Sequence, residues 1–221
     1  DYALVEESIS EPFITAMKAR FAEMYGDEEA TQLTSAQRSH IVNDHHFQRI
    51  VGLIEDAVAK GANVAHGGTW DKTTLRIAPT ILKNVTLDMK VMQEEIFGPV
   101  LPVMTWREPQ EVQRIVHANP HPLAMYFFSK NDTQIAEWMR TIPAGTTGIN
   151  EVVLHVANPN LPFGGIQTSG MGRTGGLAGF EAFSNMRSVL KQTSRFNLLP
   201  LTFPPFNGLS LSLARVVQRW L

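Results

Sequence analysis

Apolar segments of strand length alternate with amphipathic segments of helical length through the second half of the chain. The strand-like segments at 98–106, 122–129 and 146–154 are separated by helix-like segments at 108–119 and 131–142. This alternation favours a mainly parallel open sheet that is flanked by helices. The segment 122–129 is apolar almost throughout, which is typical of a strand buried on both faces. The sequence therefore predicts an α/β fold.

The first half of the chain continues the same pattern. A strand is predicted at 1–9, and apolar residues then recur at helical spacing in the segments 10–25 and 46–60, each of which is followed by glycine. The segments 63–68 and 74–82 are predicted to be extended.

The composition permits a substantial core and excludes several kinds of site. Of the 221 residues, 43% are apolar, 18% are charged and none is cysteine, which excludes disulfides, thiolate zinc sites and a cysteine nucleophile within this chain. The net charge of −2 gives no basic face for a nucleic-acid partner. No apolar run is long enough to span a bilayer. The first residues lack methionine and the features of a signal peptide, so we expect a chain that begins inside a larger protein.

The segment GMGRTG, residues 170–175, has the G-x-G-x-x-G spacing of a dinucleotide-binding turn. Such a turn requires a preceding strand, a helix that opens directly after it, and an acidic residue about 20 positions further on. The preceding segment is not strand-like, Gly175, Gly176 and Gly179 are poor residues for opening a helix, and Glu181 is too near. We therefore predict a glycine-rich connection whose main chain passes closely or takes positive φ, and no pyrophosphate site.

The segment MQEEIFGPV, residues 92–100, joins two carboxylates, an aromatic residue and a Gly-Pro turn to a predicted strand. Two interpretations are open from these residues alone. The first is a solvated turn at Glu94 and Glu95 with Phe97 packed into the core. The second is a ligand-binding turn.

This segment, together with PFGGIQTSGMGR at 162–173 and FEAFSNMRSV at 180–189, resembles the aldehyde dehydrogenase family. The resemblance extends over residues 1–192, because the three motifs and the phrases between them follow the order and spacing of the family. Details such as LHVANPNLPFGG, residues 154–165, are most similar to class 3. That class includes fatty-aldehyde and apocarotenal enzymes.

The resemblance implies a nicotinamide cofactor, NAD or NADP, and two residues that bind it. Glu95 occupies the position that accepts hydrogen bonds from the ribose hydroxyls next to nicotinamide, which suits the two acceptor oxygens of a carboxylate. Phe97 occupies the position that packs beside the nicotinamide ring. Gly98 and Pro99 turn the chain away from the site, and no cofactor role is assigned to Glu94.

The resemblance also implies a substrate channel for an aldehyde. The loop PFGG, residues 162–165, lies beside this channel in the family, and Phe163 is expected to screen the site from water, which favours hydride transfer. His155 is expected at the mouth of the channel. The alternative for His155 is simple packing at the end of a strand.

No catalytic residue is expected within this chain. The family attacks the aldehyde with a cysteine thiolate, stabilises the oxyanion with an asparagine and a main-chain amide, and uses a glutamate as general base. All of these are expected upstream, with the nucleophile a few residues before the segment that matches 1–9. The chain is therefore interpreted as the C-terminal half of an NAD(P)-dependent dehydrogenase that oxidises aldehydes to carboxylic acids. The alternative is a non-catalytic, truncated homologue that binds or oligomerises with a partner.

The resemblance assigns residues 1–192 to the catalytic domain and 193–221 to a tail. A strand predicted at 187–192 extends the sheet of a partner subunit in the family, which implies a homodimer that pairs through Ser188–Gln192. The alternative is an ordinary internal strand.

The tail is predicted to contain an amphipathic helix. This helix would dock on a membrane surface or on the protein itself, so the expected location is cytoplasmic or membrane-associated on the cytosolic side. The residues on its apolar face are Leu209, Leu213, Val216, Val217 and Trp220.

The run of Asp44, His45 and His46 is predicted to open a helix and not to bind a metal. Adjacent histidines on a helix point in different directions, and a metal site on one face would need partners at i, i+4 spacing. No metal is therefore expected.

Overall fold

The computed structural model describes residues 1–193 and 203–219, without the side chain of Val217. The chain divides into two compact units, Asp1–Ala182 and Phe183–Leu221. The first unit ends before the domain boundary that we expected after residue 192. It carries the sheets and every residue that was predicted to bind cofactor or substrate.

A mainly parallel sheet forms the centre of the first unit. Its strands are, in chain order, β1 (Ala3–Glu6), β2 (Asn63–His66), β3 (Trp70–Asp71), β4 (Arg76–Ile77), β5 (Thr80–Lys83), β6 (Val100–Trp106), β7 (Ala124–Phe127) and β8 (Thr146–Ile149). The central sheet has the order β1-β6-β5-β2, in which β1 and β5 run parallel to β6 and β2 is an antiparallel edge. β7 and β8 form a separate parallel pair, and β3 and β4 form an antiparallel pair. The predicted α/β class is confirmed.

The described residues of the first unit contain seven α-helices, two of which begin at a side-chain cap. They are α1 (Ser10–Tyr25), α2 (Glu29–Thr34), α3 (Asp44–Ala59), α4 (Pro109–Ala118), α5 (Asp132–Thr141), α6 (Leu154–Ala157) and α7 (Gly176–Ala182). Asn43 caps α3 by accepting a hydrogen bond from the His46 N–H at 2.9 Å, so α3 begins two residues before the predicted His46. Asn131 caps α5 in the same way from the Gln134 N–H at 3.0 Å.

The largest core lies between α3 and the central sheet. One face of α3 is apolar at helical spacing and is buried against residues such as Leu82 of β5 and Val100 of β6. Removal of this apolar surface from water is the main favourable contribution to folding. The buried residues on this face are Phe47, Ile50, Val51, Leu53, Ile54 and Ala57.

The pair β7–β8 differs from its prediction. Only Phe127 of β7 is buried, so the strand is not covered on both faces as we predicted. β8 ends at Ile149 and not at Leu154, because the positive φ of Asn150 (+53°) and of Val153 (+67°) interrupts the extended chain. The short helix α6 follows in place of the predicted continuation.

Helix α2 was not predicted, and a buried polar network holds it. Gln32 is 1% exposed, donates through Nε2 to the Gly26 carbonyl at 2.9 Å, and turns its Oε1 towards His66 Nε2 at 2.7 Å. Burial lowers the pKa of His66, while the Glu29 carboxylate, 3.2 Å from His66 Nδ1, opposes this shift. The contact between Gln32 and β2 is therefore what fixes α2.

The second unit contains one element in its described part, α8 (Gly208–Gln218). Leu209 and Leu213 of the predicted apolar face are on this helix and are exposed, whereas Trp220 and the Val217 side chain lie outside the described residues. The segment 187–192, predicted to be a strand, is in neither helix nor strand. Within the residues that the structure describes, no helix is both long and apolar enough to cross a membrane.

Candidate functional site

The turn that precedes β6 presents its polar and aromatic side chains to solvent. Glu95 is exposed and Phe97 is 80% exposed, whereas Ile96 between them is 1% exposed. The interpretation in which Phe97 packs into the core is therefore wrong, because Ile96 takes that place. Phe97 also has a positive φ of +47°, which is uncommon for a residue with a bulky side chain. The local backbone turns Ile96 inward and leaves Glu95 and Phe97 outside.

Two consecutive residues of α3, Arg49 and Ile50, contact this turn and fix its position. Arg49 donates from Nη1 to the Glu95 carbonyl at 2.8 Å and from Nη2 to the Ile96 carbonyl at 2.7 Å. Ile50 packs so closely on Gly98 that a Cβ atom at Gly98 would lie 2.7 Å from Ile50 Cδ1. A planar guanidinium that bridges two successive carbonyls fixes both position and orientation.

The segment before β1 contacts the core beneath the same turn. Tyr2 packs against the core cluster that contains Ile96. The carboxylate of Glu95 has no hydrogen-bond donor within the described residues. Tyr2, which directly precedes β1, thus shares a core with Ile96 of the motif at 92–100.

His155 and Phe163, both predicted to line a channel, contact each other. Their ring centroids are 5.9 Å apart, and the ring of Tyr126 in β7 lies 5.7 Å from His155 on another side. Thr146 in β8 places Oγ1 3.1 Å from His155 Nε2. Within residues 1–193, no hydrogen bond or ring contact joins this cluster to Glu95 or Phe97. The predicted residues therefore form two groups, each with its own support.

The glycine-rich loop at 162–175 folds back on itself. Phe163 and Thr174 exchange two main-chain hydrogen bonds, each of 2.8 Å. A Cβ atom at Gly164 would lie 2.5 Å from the Gly172 carbonyl oxygen, and one at Gly165 would overlap the Ser169 carbonyl. Close main-chain approach thus explains these glycines, as predicted.

One part of the argument against a dinucleotide turn is wrong. Helix α7 opens at Gly176, directly after GMGRTG, although its glycines were judged to prevent this. Gly175 has a φ of +88° and turns the chain into the helix. The helix has only seven residues, or about two turns, so its glycines destabilise only a short element. The segment before GMGRTG contains a short 3₁₀ turn at Gln167–Ser169 and no strand, as expected.

Arg49, Tyr126 and Thr146 were missed by the sequence analysis. Arg49 precedes Glu95 by 46 positions, and no spacing rule connects them. Tyr126 and Thr146 were assigned to strands, but their contact with His155 depends on the pairing of β7 with β8.

The described residues contain no cluster of three or more histidine or acidic side chains that could hold a metal ion.

Comparison with known proteins places these features in a family. The sequence model of the aldehyde dehydrogenase family matches residues 1–189. The chain is 42% identical, over 88% of its length, to the dimeric NADP-preferring aldehyde dehydrogenase of Mus musculus, and covers 41% of that protein. It is 36% identical, over 98% of its length, to aldehyde dehydrogenase family 3 member H1 of Arabidopsis thaliana, and covers 44% of it.

A solved structure shares the fold. The substrate-bound state of an aldehyde dehydrogenase from Staphylococcus aureus superposes with a TM-score of 0.83 at 34% identity, covering 98% of this chain and 46% of that one. The chain thus spans less than half the length of each of these three proteins. The match to the family model and the similarity to its family 3 confirm the resemblance that the motifs carried: the chain belongs to the aldehyde dehydrogenase family.

Proposed function

We propose that the chain is the C-terminal catalytic-domain portion of an NAD(P)-dependent aldehyde dehydrogenase that oxidises aldehydes to carboxylic acids. The observation that carries this proposal is the turn at 94–99, which α3 holds so that Glu95 and Phe97 face outward. Exposure of the Phe97 ring gives up apolar burial, and the positive φ of Phe97 strains the backbone, so binding of a ligand by the ring explains why the chain tolerates both.

The residues at this turn fit a nicotinamide dinucleotide. The Glu95 carboxylate is exposed and has acceptor capacity that no donor of the described chain uses, which suits the two hydroxyls of a ribose. Phe97 offers an exposed ring face to a planar heterocycle. The cofactor supplies the acceptor for hydride. The proposal covers both NAD and NADP, and the mouse relative is named as NADP-preferring.

We infer that the nucleophile would enter beside the same turn. This chain contains no cysteine, and the family places its cysteine a few residues before the segment that matches DYALVEESI. Because Tyr2 packs against the core that contains Ile96, a segment joined to Asp1 is proposed to approach the turn at 94–99. The general base and the oxyanion-stabilising asparagine are proposed to belong to upstream sequence as well.

The contact of His155 with Phe163 supports a channel wall. We propose that these two rings line the path of the aldehyde and keep water away from the reacting carbon. The class 3 similarity favours long-chain or apocarotenal aldehydes as substrates.

We also propose a homodimer that pairs through residues 188–192, on the basis of the family resemblance and the exposure of this segment. Val189 is 75% exposed and Leu190 is 99% exposed, as expected of a segment that pairs with the sheet edge of another subunit. The mouse relative is described as dimeric.

For α8, exposed Leu209 and Leu213 beside Arg215 support peripheral membrane docking from the cytosolic side, with docking on the protein as the alternative.

The test is the substitution Glu95→Gln in the complete protein, with Glu94→Gln as the matched control. We expect Glu95→Gln to weaken cofactor binding and to slow NAD(P)H formation by about tenfold each, because a charge-assisted hydrogen bond is lost. Titration calorimetry and stopped-flow absorbance measure the two effects. Glu94→Gln should change neither. If Glu95→Gln leaves both quantities at their wild-type values, Glu95 does not bind the ribose.

The non-catalytic alternative is decided by the intact mass of the protein isolated from its source. A mass well above the 24.6 kDa of this chain, with upstream peptides that contain cysteine, supports the dehydrogenase. A mass of 24.6 kDa supports a binding or oligomerisation role.

A further inference from the structure

A cavity lies at the start of β5 and β6, beside the C-terminal end of α1. Its volume is about 280 Å³, which is close to the lower limit for pockets that bind small molecules. Gly98 and Pro99, the last two residues of the turn at 94–99, form part of its wall. Most of the remaining wall is apolar and comes from Phe21, Pro79, Val100 and Leu101.

The polar groups of the cavity are one guanidinium and one phenol hydroxyl. Arg38 and Tyr25 line the cavity and are half-buried, so a ligand can reach them from solvent. The hydroxyl of Thr80 is already engaged, since it donates to the Ala78 carbonyl at 2.8 Å and accepts from the Gly68 N–H at 3.0 Å. Among the described residues, no acidic side chain lines the cavity. The charge of the wall therefore favours an anionic ligand.

The guanidinium of Arg38 is held in place by the protein itself. It donates from Nη1 to the Gln32 carbonyl at 3.2 Å and from Nη2 to the Ile77 carbonyl. It also lies over the ring of Tyr25, with Cζ 5.6 Å from the ring centroid, and the aromatic face stabilises the cation. A side chain that is fixed in this way loses little conformational entropy when a ligand binds.

Arg38 retains unused hydrogen-bonding capacity and an uncompensated charge. A guanidinium carries more N–H donors than the two that these carbonyls use. Arg38 forms no ion pair with a carboxylate of the described residues, and burial lowers the pKa of its guanidinium. The hydroxyl of Tyr25 likewise forms no hydrogen bond within this part of the chain. A partly buried cation without a counter-ion is costly, and a bound anion would offset that cost.

We propose that this cavity binds a small carboxylic acid with an apolar body, whose carboxylate accepts hydrogen bonds from Arg38 and from the hydroxyl of Tyr25. The fork of a guanidinium matches the two oxygens of a carboxylate, and the apolar wall covers the body of the ligand. The site does not depend on the proposed function. If that function holds, the ligands include the class of acid that the protein itself forms.

The probe is benzoate, with benzyl alcohol as its neutral analogue and acetate as its analogue without the apolar ring. Calorimetric titration of the complete protein, without cofactor or aldehyde, should give a Kd of about 0.1–1 mM for benzoate. Both analogues should bind at least about tenfold more weakly, because each lacks one of the two parts that the site recognises.

Variants test the two polar groups separately. Arg38→Gln should weaken benzoate binding by about tenfold or more, since a charge-assisted hydrogen bond is lost. Arg20→Gln on α1, where the arginine is exposed and paired with Glu23, is the matched control and should leave the affinity unchanged. Tyr25→Phe keeps the ring beneath Arg38 and removes no hydrogen bond of the fold, and it should weaken binding by about threefold.

A second measurement locates the ligand in the wild type and needs no variant of Arg38. Leu101 lines the cavity, so the signals of its methyl groups should shift when the ring of benzoate lies against them. Methyl NMR of protein labelled with ¹³C in leucine records this shift, and Leu101→Met, which keeps the volume of the side chain, identifies the signals. Benzyl alcohol at the same concentration should shift them much less.

The outcomes separate this site from the proposed function. The inference is overturned if the Leu101 signals do not respond to benzoate, if benzyl alcohol shifts them equally, or if folded Arg38→Gln binds benzoate as the wild type does. Benzoate that binds only in an aldehyde channel would produce the first and third of these results. A protein that oxidises no aldehyde but binds benzoate through Arg38 would contradict the proposed function and leave the site intact.

Discussion

The turn at 94–99 and the glycine-rich loop at 162–175 are both irregular segments with Gly and Pro, yet they are held in opposite ways. The turn is fixed by side chains, since Arg49 binds its carbonyls and Ile96 is buried beneath it. The loop is fixed by the absence of side chains, since Gly164 and Gly165 let its main chain approach itself. A turn supported by side chains can present large residues outward. In a loop packed through its backbone, a side chain added at Gly164 or Gly165 would force the main chain to move.

The largest expected effect breaks the loop. Gly165→Ala places a methyl group onto the Ser169 carbonyl, so the loop must shift and move Phe163 with it. We expect a loss of roughly 3 kcal/mol of stability and, because small misplacements are costly in a channel, about a hundredfold loss of turnover.

The control for this change is Gly52→Ala on α3, where a Cβ atom meets nothing within 4 Å. It should stabilise the protein by roughly 0.5–1 kcal/mol, as alanine does within a helix. Thermal unfolding and steady-state kinetics on both variants check the pair. Equal stability of Gly165→Ala and wild type would show that the loop is not packed through its backbone.

An intermediate effect is expected where side chains hold the turn. Arg49→Met removes both hydrogen bonds to the carbonyls of Glu95 and Ile96, and we expect the free energy of unfolding to fall by about 2–3 kcal/mol. Cofactor should also bind about tenfold more weakly, because Glu95 and Phe97 lose their support. Arg49→Lys should restore only part of each, since an ammonium cannot bridge both carbonyls.

Denaturant unfolding and calorimetry measure these two quantities, with Gln48→Met on the same helix as the control. If Arg49→Met destabilises the protein but leaves cofactor affinity at the wild-type value, Arg49 supports the fold and not the site.

The smallest expected effect is a decrease in stability at acidic pH that depends on His66. Burial lowers the pKa of His66, against the charge of Glu29 and together with that of Lys18. Below the ordinary value of about 6.5, the unfolded chain therefore binds a proton that the folded chain resists, so stability falls as pH decreases. Above this value both states are neutral at His66, and this dependence disappears.

Amide hydrogen exchange, corrected for intrinsic rates, checks this expectation. Between pH 7 and pH 5, protection should decrease at 26–34 and 63–66, and it should stay constant in α5 (Asp132–Thr141), which packs on an apolar cluster without histidine. His66→Gln should flatten the change. An equal loss of protection in both regions would contradict the assignment to His66.

Helices with strong periodicity were predictable from sequence, and a short helix without it was not. The apolar face of α3 is continuous and Asn43 is a good capping residue, so the predicted start was only two positions late. Helix α2 has no such face. It exists because Gln32 contacts His66, 34 positions away, and local sequence does not encode a contact of this range.

The predicted end of β8 was wrong because of the backbone conformation of the residue that follows the strand. The apolar run Val152–Leu154 continues the pattern of β8, but the left-handed conformation of Asn150 ends the strand before it. The side chain of Asn150 also exchanges hydrogen bonds of 3.0 Å with the main chain of Ser129, which fixes this turn. The segment 187–192 has a strand-like sequence but pairs with no strand of the described residues, and pairing is what makes a strand.

Candidate site residues could be named from sequence where a contiguous motif carries them. The motif at 92–100 singled out Glu95 and Phe97, whose role at a cofactor stays a prediction, while their support by Arg49 depends on the packing of α3 and became visible only in the fold. The contact of His155 with Phe163 and Thr146 likewise depends on how β7, β8 and the loop are assembled.

The backbone of Phe97 has a consequence for laboratory evolution. Its positive φ, in an exposed position, is one that glycine or asparagine adopts at lower cost. Selection on heat resistance alone should therefore drift towards those codons at position 97, whereas selection on turnover should retain an aromatic codon if the ring serves the cofactor. Populations evolved under the two regimes should diverge at this position.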